Sequence, residues 1–167
     1  NMPWYEGAPL MTMLENIQIV SDKNLNDFRF PVQYVNRPNL NFRGYCGTIA
    51  SGTVKPGDKI IVLPSRKESR VKSIVTYEGK LAEAFSPQAV TLTLEDEIDV
   101  SRGDMIVHPN NVPYFTDRLD AQVVWMSETP MTPGNQYLSK RGPRKVAGTV
   151  ADIRFKTDVN TLEQLQG

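Results

Sequence analysis

Few residues in this chain have the type and spacing that catalysis or metal binding requires. His108 is the only histidine and Cys46 the only cysteine, and the two lie far apart in sequence. A zinc site is poorly supported, because zinc ligands recur at short spacings. A cysteine within a strand usually behaves as a small buried hydrophobe, and no Gly-x-Ser-x-Gly motif marks a nucleophilic serine. We therefore expect no catalytic residue and no metal ligand.

Two charged clusters leave alternatives open. Glu95–Asp99 is acidic, and it is either a cation site or, more commonly for such a run, a solvated loop. Lys140–Lys145 is the densest basic cluster. We expect it to be a solvated hairpin turn, and the alternative is a contact with an anion, either a partner's acidic face or a nucleotide phosphate.

Nucleotide-binding motifs are absent from the sequence. There is no G-x-x-x-x-G-K-[ST] loop, and Gly79-Lys80 is followed by Leu81, which offers no hydroxyl to magnesium. An Asn-Lys-x-Asp motif is also missing. We therefore expect this chain alone to hold no cofactor and to hydrolyse no GTP.

Composition excludes several classes of protein. The 167 residues include 19 Lys+Arg and 19 Asp+Glu, so the formal net charge is zero, and nucleic-acid binding is not expected. No apolar run approaches the roughly 20 residues that span a bilayer, and no secretory signal pattern is present. One cysteine fits a reducing, cytoplasmic compartment. Because the chain begins at Asn1, we expect a fragment or a processed chain.

The hydrophobic pattern predicts an all-β protein in two parts. Residues 1–29 read as a linker with one short helix, since Leu10, Met13, Leu14 and Ile17 recur at helical spacing. Residues 30–109 read as one β-barrel, 110–118 as a linker, and 119–167 as the start of a second, truncated barrel. The strands predicted in the first barrel are Pro31–Val35, Tyr45–Ser51, Lys59–Leu63, Arg70–Tyr77, Ala89–Leu94 and Met105–His108.

The second part has two predicted strands, one over residues 119–126 that is well buried and one that alternates from Ala147 to Phe155. So few strands cannot close a barrel. We therefore expect the second barrel to be incomplete and its exposed edge to favour pairing between chains.

The positions of glycine and proline in the predicted first barrel indicate where its strands bend and turn. Gly44, Gly47 and Gly52 mark bends or close approaches of strands, and Lys55–Asp58 matches a type II turn with Gly57 at its third position. This strand-turn-strand spacing resembles the second domain of translational GTPases. The resemblance implies a translation-factor-like β-barrel followed by a second, incomplete one.

A closer resemblance covers almost the whole chain. It is to the large, GTPase subunit of bacterial ATP sulfurylase, which is a sulfate adenylyltransferase. The residues that carry it are Pro3-Trp4-Tyr5, Arg29–Leu40, Phe42–Tyr45, Asp96–Asp104, Val123–Met126 and Asp158–Leu162. The resemblance implies that the parent enzyme binds GTP and magnesium and couples GTP hydrolysis to formation of adenosine 5′-phosphosulfate and pyrophosphate from ATP and sulfate.

The same resemblance implies two partners, a catalytic small subunit and a GTPase domain that precedes this segment. The fragment itself would be inactive, and its role would be positional. We expect its interface elements to be Asn36, Arg37, Pro38 and Asn39, in a polar loop over Asn36–Asn41, together with Arg43. The alternatives are a barrel of another translational-type GTPase that binds RNA or a ribosomal partner, and a free-standing β-barrel adaptor or small enzyme.

Overall fold

The computed structural model describes residues 4–17 and 24–166. The chain divides into two compact units, residues 1–112 (unit 1) and 113–167 (unit 2), and each is described by itself. Residues 1–3 and 18–23 of the predicted linker lie outside the described residues.

The helix α1 spans Leu10–Asn16, with Ile17 as its C-cap. The helical spacing of Leu10, Met13 and Leu14 predicts it correctly. None of its residues is buried, so its apolar face is uncovered. Among the described residues no helix could span a bilayer.

Unit 1 is otherwise built of short strands. They are β1 Arg29–Pro31, β2 Tyr34–Asn39, β3 Phe42–Thr48, β4 Thr53–Val54, β5 Lys59–Leu63, β6 Lys67–Thr76, β7 Gly79–Leu81, β8 Ala84–Phe85, β9 Ala89–Leu94 and β10 Met105–Val107. The predicted bounds of β5 and β9 are confirmed. Those of the other strands differ by a few residues, and the strand predicted over Pro31–Val35 is split into β1 and β2.

Eight strands of unit 1 form an antiparallel sheet in the order β1-β10-β5-β6-β9-β3-β2, with β7 paired to β6, and β4 and β8 form a separate two-stranded sheet. The two edge strands, β1 and β2, are separated in the chain only by Val32 and Gln33. The sheet must therefore curl until its edges meet, as in a barrel. Backbone bonds from Val32 N to Asp104 O (2.9 Å) and from Gln33 N to Cys46 O (2.8 Å) hold this corner.

The curled sheet encloses one hydrophobic core. Alternate residues of β9 point into it, and Val90, Leu92 and Leu94 are all buried, as the alternation predicts. Phe30, Tyr45, Ile60 and Ile106 fill it from other strands, and Phe28 fills it from just before β1. Each such side chain contributes about 1.5–3 kcal/mol by leaving water, so this core holds the framework of unit 1.

The predicted type II turn is present between β4 and β5. Gly57 has φ +92°, and Asp58 N donates to Lys55 O at 3.2 Å. The Asp58 carboxylate also accepts a hydrogen bond from Lys55 N at 2.8 Å. Glycine is favoured here because the third position of this turn requires a positive φ.

Unit 2 contains two separate hairpins. One pairs β11 (Gln136–Arg141) with β12 (Arg144–Thr149), and the other pairs β13 (Phe155–Thr157) with β14 (Gln164–Gln166). The basic cluster Lys140–Lys145 lies at the exposed tip of the first hairpin, so the predicted hairpin turn is confirmed.

Two strand predictions in unit 2 are wrong. Residues 119–126 form no strand, and the side chains of Val124 and Met126 are almost wholly exposed. The single strand expected from Ala147 to Phe155 is interrupted, since β12 ends at Thr149 and β13 begins at Phe155. An alternating apolar segment forms a strand only if another strand pairs with it and a second layer covers its apolar face. Among the described residues, neither is present at residues 119–126.

Candidate functional site

The predicted interface residues lie on the β2–β3 hairpin, at an edge of the unit 1 sheet. Asn36–Asn39 was expected to be a loop, and this prediction is wrong because these residues complete strand β2. The turn itself is only Leu40-Asn41, closed by Asn41 N donating to Asn39 Oδ1 at 3.0 Å. Asparagine and proline favour turns, but Pro38 is tolerated in an edge strand, and the β2–β3 register shifts between Asn36 and Asn39.

This hairpin end is open to solvent. Arg37, Pro38 and Asn39 are exposed, whereas Asn36 is half-buried opposite Gly44 of β3. Proline and an irregular register both discourage the addition of a further strand. Any partner that meets β2 at Pro38 would therefore contact side chains rather than extend the sheet.

Arg43 is the most constrained of the predicted residues. Its side chain is 25% exposed, and its terminal nitrogen lies 3.6 Å from Asp99 Oδ1. Its guanidinium carbon is 5.7 Å from the centroid of the Tyr45 ring, a cation–π distance. Its Nε is buried without a hydrogen-bond partner.

Tyr45 is the buried, uncharged residue against which Arg43 packs. Only 1% of it is exposed, and its hydroxyl donates to Ile98 O at 3.1 Å. Burial raises the pKa of Tyr45 above its ordinary value of 10.0, Arg43 and Arg37 lower it, and Asp99 and Glu97 raise it. Arg37, Arg43, Glu97 and Asp99, whose charges act on the pKa of this phenol, are called the charged cluster below. The structure thus places Arg43 in contact with Asp99 of the loop that follows β9, and the charges of Arg37 and Glu97 also act on the same phenol.

A shallow depression of about 450 Å³ lies on the outer face of the same hairpin. None of its lining residues is Asp, Glu, His, Lys or Arg. They are Gln33, Asn36, Phe42, Cys46, Gly47, Val75, Thr76, Tyr77, Ala89, Val90 and Thr91. Cys46 was expected to be buried, which is wrong. It points outward from β3, is partly exposed, and its Sγ lies 3.3 Å from Thr91 Oγ1.

His108 packs against an aromatic ring, and one carboxylate lies near its buried Nε2, which has no hydrogen-bond partner among the described residues. Its ring lies 4.9 Å from that of Phe28, and its Nε2 is 3.5 Å from Asp58 Oδ2. In residues 4–17 and 24–166 no group of three His, Cys, Asp or Glu side chains is arranged to hold a metal ion. Asp96 of the acidic run accepts a hydrogen bond from Ser69 Oγ at 2.8 Å.

Sequence reasoning missed the contacts that cross long stretches of chain. The bond between Tyr45 and Ile98 joins residues 53 positions apart. Asp27, Arg29 and Asn111 form a second such group. Single polar residues beside strands give no periodic signal, so only the three-dimensional arrangement reveals these pairings.

Comparison with families of known proteins gives one match, to a family described as GTP-eEF1A C-terminal domain-like, over residues 118–167. Curated relatives match nearly the whole chain. Sulfate adenylyltransferase subunit 1 from Saccharophagus degradans is 61% identical over 163 residues, which are 98% of this chain and 35% of that protein. The bifunctional enzyme CysN/CysC from Rhodopirellula baltica is 58% identical over 165 residues, which are 99% of this chain and 26% of that protein. The chain thus spans about a third or less of the length of these relatives.

Solved structures share the fold at lower identity. Translation elongation factor SelB from Methanococcus maripaludis, in its apo form, aligns with a TM-score of 0.69 and 22% identity over 93% of this chain and 33% of its own. Sup35 complexed with GMPPNP aligns with a TM-score of 0.64 and 18% identity over 97% of this chain and 40% of its own. The chain therefore shares the β-rich fold of SelB and Sup35, and its sequence matches a segment of proteins named sulfate adenylyltransferase subunit 1.

Proposed function

We propose that this chain is a non-catalytic β-barrel portion of the GTPase subunit of a sulfate adenylyltransferase. The whole enzyme would couple GTP hydrolysis to formation of adenosine 5′-phosphosulfate and pyrophosphate from ATP and sulfate. The observation that carries this proposal is the 61% identity over 98% of the chain to a protein named sulfate adenylyltransferase subunit 1.

GTP and magnesium would be bound by another part of the parent enzyme. Gly79-Lys80-Leu81 cannot act as a phosphate loop, and the described residues hold no group suited to a metal ion. No chemical step is therefore assigned to residues of this chain. Its contribution would be a rigid body whose packing differs between the nucleotide states of the preceding domain.

The partner surface that we propose is the charged cluster with the exposed end of the β2–β3 hairpin. Arg37 offers an unburied guanidinium beside Pro38 and Asn39, while Arg43 is anchored against Tyr45 and has only a 3.6 Å contact with the exposed Asp99. An anchored arginine loses little side-chain entropy on binding, and arginine is enriched at interface hot spots. The catalytic small subunit, acting in the cytoplasm, would present acidic or carbonyl groups to it.

A binding measurement on the full-length subunit tests this proposal. The subunit is titrated with the catalytic small subunit as wild type, as Arg37→Glu and as Lys72→Glu, which makes the same charge reversal at an exposed site on β6. We expect Arg37→Glu to weaken binding by about tenfold or more and Lys72→Glu to change it by less than about twofold. Equal effects of the two variants would exclude this surface, and failure of the wild-type subunits to associate would exclude the function itself.

The domain boundaries also remain part of the proposal, with one barrel over residues 30–109, a linker over 110–118 and the start of a second barrel from 119.

A module that binds RNA is not favoured, because the formal net charge is zero and the relatives carry adenylyltransferase names. Salt-sensitive RNA binding by the chain would reverse that preference.

A further inference from the structure

A group of three hydrogen-bonded side chains joins the start and the end of the strand-forming part of unit 1. The incoming end is residues 24–29, which lead into β1, and the outgoing end is residues 108–112, which follow β10. Asp27 and Arg29 come from the incoming end, and Asn111 comes from the outgoing end. These three residues are called the clamp below.

Asn111 uses both ends of its amide group in the clamp. Its Nδ2 donates to Asp27 Oδ1, and its Oδ1 accepts from an Arg29 terminal nitrogen at 2.8 Å. The amide therefore bridges a carboxylate and a guanidinium, and only one orientation satisfies both. All three residues are partly shielded from solvent, and hydrogen bonds to charged groups are stronger than those between neutral groups.

The incoming end is itself fastened to the turn before β4. Asn24 Nδ2 donates to Asp27 Oδ2 at 2.6 Å, and Gly52 N donates to Asn24 O at 2.6 Å. Ser51 Oγ donates to Asp27 O. A displacement of Asn24 must therefore strain Asp27, and through Asp27 it must strain Asn111.

We propose that the clamp is a coupling device that transmits displacement of the incoming segment to the point where the chain leaves unit 1. The ladder between β1 and β10 ends at Arg29 and Val107, so it holds neither Asp27 nor Asn111. Beyond the end of this ladder, the clamp joins the two segments through side chains, with Asp27 before β1 and Asn111 after β10. If the proposed function is correct, it would carry a change from the preceding domain to the residues after Val112.

Hydrogen exchange of backbone amides in the 167-residue chain tests the coupling. Two amides serve as reporters: Gly52 N, bonded to Asn24 O, on the incoming side, and Asn111 N, bonded to His108 O at 3.2 Å, on the outgoing side. Asn111→Asp places a carboxylate opposite Asp27 and removes a donor without a change of shape. Asn110→Asp adds the same charge at the neighbouring exposed asparagine and is the matched control.

We expect Asn111→Asp to raise the exchange rate of the Gly52 amide by about tenfold, since a hydrogen bond to a charged group is lost. Conversely, Asn24→Ala is expected to raise exchange at the Asn111 amide, because coupling between two sites is reciprocal. Asn110→Asp should change neither rate by more than about twofold.

The amide of Leu92 in the central strand β9 reports global opening. An unchanged exchange rate of the Gly52 amide in Asn111→Asp would overturn the coupling. An equal rise in the exchange rates of the Leu92 and Gly52 amides, seen in both Asn111→Asp and the milder Asn111→Ala, would also overturn it, because the effect would then be global opening. Neither result depends on GTP or on the small subunit, so this test and the binding test fail independently.

Discussion

The hydroxyl of Tyr45 donates a hydrogen bond to the carbonyl oxygen of Ile98 at 3.1 Å, which ties strand β3 to the loop that carries Glu97 and Asp99. We expect Tyr45→Phe to lower the free energy of unfolding by about 1 kcal/mol, because one largely buried hydrogen bond is lost and its acceptor is left unpaired. Urea denaturation measures this change. Tyr77→Phe, at a fully exposed tyrosine, is the control, and an equal change in both variants would contradict the assignment.

Because of the same phenol, we expect the free energy of unfolding to fall at alkaline pH. Burial raises the pKa of Tyr45 above 10.0, so the folded chain holds this proton more tightly than the unfolded chain. The stabilisation is complete below pH 10 and is lost as the pH rises through the higher folded pKa. Urea denaturation of the wild type between pH 9 and 12 should show a decline that is shallower in Tyr45→Phe. Parallel curves for the two proteins would argue against a raised pKa.

Gly52 should tolerate substitution much less well than Gly57, although both have a positive φ. Gly52 has φ +79°, and a Cβ there would lie 2.4 Å from the Phe28 backbone, whereas Gly57 has φ +92° with nothing within 4 Å. We expect Gly57→Ala to cost about 1–2 kcal/mol and Gly52→Ala about 3 kcal/mol or more, since steric overlap is added. Thermal unfolding of the two variants provides the comparison, and similar melting temperatures would refute the close approach.

The turn between β13 and β14 should open at acid pH. Backbone hydrogen bonds from Thr161 and Asn160 to its carboxylate hold the pKa of Asp158 below its ordinary value of 3.8. These bonds are present above that value and are lost as the pH falls through the lower folded pKa. An NMR titration of the two amides should therefore have its midpoint below 3.8 and should vanish in Asp158→Asn. A midpoint at or above 3.8 would contradict this reading.

The fold of unit 1 was predictable where local rules and packing agree. Alternation identified β9, and the Pro56-Gly57 pair identified the turn before β5, since the sheet covers one face of these segments as the pattern requires. Prediction failed at Asn36–Asn39, where turn-forming residues complete an edge strand. It failed again at Val124 and Met126, where apolar residues find no partner strand among the described residues of unit 2.

The candidate site was predictable only in part. Arg43 and Arg37 stood out by type, but nothing in the sequence linked them to Glu97 and Asp99, which lie in the loop after β9 and act on the same phenol. No spacing rule links these residues, because the sheet order that brings them together depends on pairings across most of unit 1.

The pairing of β1 with β10 also sets an order of events during synthesis. Arg29 pairs with Val107, so β1, the first strand of unit 1 to be synthesised, can pair with β10 only after nearly all of unit 1 has followed. Strand pairing over such a separation is slow, and the apolar residues Phe28 and Phe30 stay uncovered in the interval. The nascent chain should therefore depend most on chaperones just before residue 107 emerges, and it should resist proteases soon afterwards.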